Sequence, residues 1–275
     1  MSLTLGGSAN QRSLAYLSAT KSKMDKSLER IASGKKLLSA ADDPGGLAVA
    51  MKLRNQITTN DAELSAVENA KSYVESQSTA LQTTTSIVQE MRTLKSNWDI
   101  ADAAGDTDLT DSYERQFDDL QGQLNSIKGE TLNGRKLFDR GASESQITVS
   151  NVALDDLGLD AALQNGGQDI TDSSTIDLSN VSDANLEVIE DNVSALTAEA
   201  AGDASTLGFA SDYLTNMSTN LETAHGRIMD VDLAEETSNY ATLSMQYEAA
   251  AAAVAQANVS SAKVLDLLLS SINRD

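Results

Sequence analysis

The sequence predicts a mainly α fold: an elongated antiparallel coiled coil or helical bundle with a small β-hairpin region in the middle of the chain. Three observations predict it. Leu186, Val193, Ala200, Leu207, Leu214, Leu221 and Ile228 recur every seven residues, a 3.5-residue period that winds helices around one another with a left-handed sense. The 275 residues contain one proline, so little interrupts a helix. Ten aromatics (three Phe, six Tyr, one Trp) are few for a compact globule of this length, since aromatics usually supply much of a core's buried area.

Taken in order, the first helix carries Leu14, Leu17, Met24, Leu28 and Ile31 on one heptad seam, with Lys21 filling one place. Gly34 ends it. Asp42-Asp43-Pro44-Gly45-Gly46 is a turn, with Asp42 or Asp43 as N-cap and Pro44 in the first turn of the next helix. That helix runs from about Leu47 to Trp98, roughly 75 Å at 1.5 Å per residue, with Val67, Val74, Leu81 and Val88 in register and Ile57 and Leu64 at companion positions. A polar loop near 101–110 leads to a third helix marked by Tyr113, Phe117, Leu120, Leu124 and Ile127.

Leu132-Asn133-Gly134-Arg135-Lys136-Leu137-Phe138 reads as a turn entering a strand, with Gln146-Ile147-Thr148-Val149 as its partner. Residues 150–180 are Gly/Asp/Ser-rich and read as a small irregular outer region. The long heptad run follows, with Ile189, Leu196, Ala210, Met217, Ala224 and Val231 as companions and one fault at Asp203. After Val231 the pattern resumes through Val254, Val264, Leu265, Leu268 and Leu269. Five segments result: arms at 1–44 and 233–275, rod helices at 45–140 and 185–232, and a hairpin and loop at 141–184. The two halves fold back through the central hairpin, so both termini are expected at one end of the rod.

Charge is unevenly spread. The chain has 20 Lys+Arg and 41 Asp+Glu, a net of −21. Residues 1–54 nevertheless hold nine cations and four carboxylates, while 141–226 hold fifteen carboxylates and no Lys or Arg. The acidic excess argues against nucleic-acid binding, which needs a basic footprint. No run reaches the roughly 20 apolar residues of a membrane span, so no membrane insertion is expected, and residues 1–10 lack the pattern of a secretory signal.

Enzymatic chemistry has no foothold. With no Cys and a single His, His225, thiolate sites and paired histidines are excluded. Asp99–Asp111 is acidic, but its spacing does not fit a calcium loop. Asp230 and Asp232 project about 200° apart on a helix, which fits charges at a helix boundary better than a metal pair. Gly34-Lys35-Lys36 lacks the remaining elements of a phosphate loop. No catalytic residue, cofactor or metal is expected.

The two arms point to assembly instead. Each is amphipathic, and a lone helix pair cannot hide all of its apolar surface, least of all the cluster at Leu265–Leu269. Copies that share such surface head to tail without closing form a helical filament. Leu14, Leu17, Met24, Leu28, Ile31, Val254, Val264, Leu265, Leu268 and Leu269 are therefore the expected self-assembly residues. Val67, Val74, Leu81, Val88, Leu186, Val193, Leu207, Leu214, Leu221 and Ile228 are the expected rod core. A membrane-surface helix pair competes with this reading, weakened by the scarcity of cations in the C-terminal arm.

Glu29-Arg30-Ile31-Ala32-Ser33-Gly34-Lys35-Lys36 and Ser39–Ala50 resemble the N-terminal signature of bacterial flagellin. Arg227–Glu236, Ala255-Gln256-Ala257-Asn258 and Val264–Ile272 resemble its C-terminal signature, and Thr206-Leu207-Gly208 and Leu132-Asn133-Gly134 are further similarities. The resemblance spans about 1–140 and 185–275. It implies a secreted structural subunit that polymerises into the flagellar filament for swimming. Its implied partners are other copies of itself, the flagellar type III export apparatus, an export chaperone and the filament cap. It also implies arms that order only on assembly and line the filament's central channel.

Asp42-Asp43-Pro44 is also the form in a relative, the hook–filament junction protein (hook-associated protein 3), which remains the alternative. Glu90 stands where many flagellins carry an arginine contacted by the Toll-like receptor for flagellin, implying weak recognition by that receptor. The short middle segment implies a thin filament, with Ser and Thr in 171–182 as either glycan acceptors or plain solvated loop.

Overall fold

The computed structural model describes residues 3–139, 147–149, 152–154, 156–165 and 168–272. The side chains of 3–10, 147–148, 153, 165, 168, 261 and 264–272 lie outside that description. The fold is mainly α: helices α1 (Leu3–Ser33), α2 (Pro44–Ala104), α3 (Thr107–Lys128), α5 (Asp183–Met229) and α6 (Leu233–Ile272) carry most of the chain. Three small antiparallel hairpins and a single-turn α4 (Leu159–Ala162) occupy its middle.

The helix boundaries have local causes. Gly34 follows α1 with φ +69°, a left-handed conformation that ends helices because glycine has no Cβ to clash. Of the two cap candidates, Asp43 takes the role: its carboxylate accepts the Gly46 N–H at 2.9 Å. Asp42 instead accepts the Leu38 and Ser39 N–H groups at 3.2 and 3.1 Å and shapes the preceding turn. The loop expected at 101–110 is only Gly105-Asp106. Its polar flanks are helical because Asp106 caps α3, accepting from Leu109 N. Asp232 caps α6 by accepting from Ala234 and Glu235 N–H.

The hairpin pairing differs from expectation. β1 (Thr131–Leu132) pairs with β2 (Arg135–Lys136), and β3 (Ile147–Val149) pairs with β4 (Val152–Leu154), so 146–149 is not the partner of the 132–138 strand. Gln146 lies outside the described residues. The reason is local: Asn133 and Gly134 both have positive φ, 54° and 80°. That is the two-residue turn whose twist matches adjacent strands, so the chain reverses at once. A third hairpin joins β5 (Gln164–Asn165) to β6 (Gln168–Asp169).

The chain divides into two compact units, Met1–Ile57 with Asn220–Asp275, and Thr58–Thr219. In the second, α2 and α5 are antiparallel: Asn60 Nδ2 donates to Leu214 O at 2.8 Å, and Arg92 meets Glu190. Val67, Val74, Leu81, Val88, Leu186, Val193 and Leu207 are fully buried between them, and Leu214 nearly so. Two further heptad rows of α2 are buried as well, Ala70–Gln77–Thr84–Met91 and Tyr73–Ala80–Ile87–Leu94, because α2 is covered from more than one side.

The described residues of 150–180, a segment expected to be irregular, contribute Leu154, Leu157, Leu159, Leu163, Ile170, Ile176 and Leu178 to the same core. The polar composition hides this because its apolar residues are isolated between turns. Buried side-chain amides satisfy the turns' carbonyls: Gln77 Nε2 donates to Leu137 O at 2.6 Å and Gln121 Nε2 to Ile176 O at 3.0 Å. The Tyr73 hydroxyl donates to Lys136 O and Leu137 O.

The other unit is built on α1 against α6. Their seam is read from burial: Leu17, Thr20, Met24, Ser27 and Ile31 on α1 face Glu236, Tyr240, Leu243, Tyr247, Ala250 and Val254 on α6. Steps of three and four along both helices are the coiled-coil spacing. The pair is antiparallel, since Ser27 near the end of α1 donates to Glu236 O near the start of α6 at 3.4 Å.

Candidate functional site

In the unit formed by 1–57 and 220–275, the links α1–α2 and α5–α6 meet backbone to backbone. Lys36 N donates to Met229 O at 2.6 Å and Val231 N to Gly34 O at 3.1 Å, bridging Lys35 and Asp230. Leu37, Ala50 and Met229 form a small buried core beneath, with Leu47 and Ile228 against it. Around it, Lys26 reaches Asp42 at 2.5 Å and Arg30 reaches Glu236 at 3.9 Å. The hydrogen bond from Lys26, helped by the Ser39 and Leu38 N–H groups, outweighs desolvation and holds the Asp42 carboxyl down to about 2.

The α1–α6 pair splits its apolar side chains between its own seam and solvent, and Leu243 and Ala250 are buried at the seam. Its seam buries Thr20, Ser27 and Glu236, while Leu14, Tyr16 and Leu28 on α1 and Leu233, Met245 and Val259 on α6 are half exposed or more, Met245 at 64%. Leu14 and Leu28 therefore do not share the seam of Leu17, Met24 and Ile31, which are half-buried. A second row at Leu14, Lys21 and Leu28, one heptad apart, faces outward. Val254 is half-buried on α6, and the side chains of Val264, Leu265, Leu268 and Leu269 lie outside the described residues. Leu221 and Ile228 on α5 are half-buried. Beside the bridge lies a shallow apolar groove of about 190 Å³ lined by Leu47, Ala50, Met51 and Met229, with Arg54 and His225 on its rim.

In the 58–219 unit the polar clusters are structural. Arg92 binds Asp183 at 3.2 Å and Glu190 at 2.6 Å, and Gln89 donates to Glu190 at 2.9 Å. The Asp183 and Glu190 hydrogen bonds raise the Arg92 pKa; Gln89 and then Arg92 lower that of Glu190. Lys128 joins Asp160, Asp169 at 3.0 Å and Thr171. Burial works against the Lys128 charge, but the Asp160 and Asp169 hydrogen bonds outweigh it and raise its pKa. Asp139 nearby is raised, first by burial and then by the neighbouring Asp160 and Asp156 charges. Among the described residues no group of three or more His, Cys, Asp or Glu could hold a metal ion, and no helix is long and apolar enough to cross a membrane.

The bridge joins the two blocks of sequence that resemble the flagellin signatures, and known proteins match the same blocks. The bacterial flagellin N-terminal helical region matches residues 7–143, and the bacterial flagellin C-terminal helical region matches 186–268. The chain belongs to the bacterial flagellin family. It is 28% identical to the flagellin of Bacillus subtilis, across 93% of this chain and 96% of that one. It is 29% identical to a flagellin of Halalkalibacterium halodurans, across 88% and 91%. It is 26% identical to the flagellar filament 33 kDa core protein of Treponema phagedenis, across 92% and 94%. The chain is accordingly a flagellar filament structural subunit, and the junction-protein and membrane-binding alternatives gain no support. The flagellin family is a family of structural proteins.

Sequence periodicity missed three features of this flagellin. The polar seam residues Thr20, Ser27 and Glu236 carry no apolar signal. The bridge needs both chain ends at once. The exposed Phe209–Tyr213–Met217 row on α5 was discoverable, since steps of four set Phe209 and Tyr213 off the heptad positions.

Proposed function

We propose that this flagellin is secreted and polymerises outside the cell through its two arms, 1–44 and 233–275, which form the inner core of the filament. Residues 45–140 and 185–232 form the surrounding shell, and 141–184 its short outer decoration. The observation that carries the assignment is the apolar surface that the α1–α6 pair leaves in water: Leu14, Tyr16 and Leu28 on α1 and Leu233, Met245 and Val259 on α6 stay about half exposed or more, outside the seam. Exposed apolar surface of this extent marks an interaction site, and another copy offers the matching face. Of the expected self-assembly residues, Leu14 and Leu28 face outward to another copy, Leu17, Met24, Ile31 and Val254 hold the two arms together, and Val264, Leu265, Leu268 and Leu269 join on sequence grounds. The resemblance to flagellin supports an export apparatus, an export chaperone and a filament cap as further partners.

Electron microscopy of the full chain in rising salt tests the proposal. Long filaments are expected from the unmodified chain. None are expected from Leu28→Asp, because a charge buried without a partner is strongly disfavoured. Its circular dichroism as a monomer should be unchanged, since Leu28 is half exposed there. Normal filaments from Leu28→Asp would overturn the role of the arms.

A further inference from the structure

Phe209, Tyr213 and Met217 form a solvent-facing row on α5, one turn apart, exposed by 73%, 64% and 38%. Phe209 and Tyr213 lie off the heptad positions, Met217 is an expected heptad companion that the structure leaves 38% exposed, and none of the expected assembly residues lies on the row. The Tyr213 hydroxyl donates only to Met217 Sδ, at 3.6 Å, within the row itself. Asp212 beside it is exposed, and the surrounding segment 141–226 carries fifteen carboxylates and no Lys or Arg. Such a surface is repelled by anionic lipid. It fits an apolar recess with a cationic rim.

One recess of this kind among the described residues lies beside the bridge. The 190 Å³ groove takes Leu47, Ala50, Met51 and Arg54 from the basic segment 1–54 and is completed by Asn55, His225 and Met229, with exposed Lys52 one residue from Met51. We propose that the Phe209–Tyr213–Met217 row of one copy docks into the Leu47–Met51–Met229 groove of a second copy, a contact between shell segments distinct from the arm contacts. It uses two different surfaces, so a pair keeps one free groove on the first copy and one free row on the second. A contact of this kind propagates unless its rotation closes a ring. It rests on the reading of the chain as a self-assembling subunit.

The chain contains no cysteine, which makes cross-linking specific. A Met51→Cys chain and a Tyr213→Cys chain, assembled together and oxidised, should give a disulfide-linked dimer, and neither chain should do so alone. In parallel, Phe209→Ser/Tyr213→Ser should raise the critical concentration for polymerisation at least tenfold while leaving the monomer's melting temperature in place. Lys52→Glu should weaken assembly, and Asp212→Lys in the same chain should restore part of it. A critical concentration equal to that of the unmodified chain, with no mixed dimer, overturns the contact while leaving polymerisation itself intact. Loss of binding to anionic vesicles, with assembly unchanged, would overturn it in favour of a lipid occupant. Failure of the unmodified chain to polymerise would instead strike the subunit reading on which this contact depends.

Discussion

The two units spend their apolar residues in opposite ways. Between Thr58 and Thr219, Phe117, Leu124, Leu81 and Leu186 are fully enclosed, and even the turns supply Phe138, Leu157 and Leu178 to the same core. In the unit of 1–57 and 220–275, the enclosed apolar side chains are few, chiefly Leu37, Ala50, Met229, Leu243 and Ala250, while Leu14, Leu28, Leu233 and Met245 face water. Each fully buried Leu or Phe is worth about 1.5–3 kcal/mol over leaving it exposed. The first arrangement therefore stabilises a single chain, and the second stabilises a chain only when something covers it.

The largest effect that would test this contrast is Phe117→Ala. Emptying a fully buried phenylalanine site costs about 3–5 kcal/mol, so urea unfolding of the monomer should lose much of its stability. Leu28→Ala, by contrast, should stay within about 0.5 kcal/mol in the monomer. Equal costs for the two would erase the difference between the units.

An intermediate effect is expected from Arg92→Ala. This removes the tie between α2 and α5 through Asp183 and Glu190, whose partner side chains are 61% and 21% exposed. Because solvent screens the pair, the loss should be no more than about 1 kcal/mol. It should shrink in 1 M salt, where screening is stronger.

The smallest effect is pH-dependent and has opposite signs in the two units. Asp139, raised by burial, is stabilising when protonated, so its carboxylate costs stability once the pH rises above its folded value. Asp139→Asn should keep the acceptor for Asp160 N–H and should slightly raise the melting temperature at pH 7, with the gain fading in acid. Asp42, held at about 2 against an ordinary 3.8, behaves in reverse. Its contribution is full above about pH 4 and is lost as the pH falls toward 2. A melting profile in which Asp42→Asn matters at pH 7 but no longer at pH 2 would bear this out; a constant difference would not.

Much of this flagellin was legible before any coordinates. The rows of Val67–Val88 and Leu186–Leu214 were readable because burial on a helix repeats every seven residues and the residues concerned are all apolar. The Asn133-Gly134 reversal was readable as a turn, but its strand partner was not, since pairing depends on how quickly the turn closes. The seam between α1 and α6 was misplaced by the same logic that succeeded elsewhere: periodicity cannot tell which of two neighbouring rows, Leu14–Lys21–Leu28 or Thr20–Ser27, faces the partner helix. Of the residues expected on one α1 seam, Leu17, Met24 and Ile31 lie on it and Leu14 and Leu28 do not.

The sequence by itself determined the helices, their order, the turn chemistry at Gly34 and Asn133-Gly134, and the charge asymmetry between residues 1–54 and 141–226. All of these are properties of neighbours along the chain, set by sterics, spacing and composition. Tertiary structure alone decided that Gly34–Lys36 meets Met229–Val231, that Gln77 and Gln121 satisfy distant carbonyls from buried helix faces, and that Leu14 and Leu28 are left in water. Those outcomes depend on which surfaces compete for burial once the chain has folded back on itself, and residues about 200 positions apart enter that competition together.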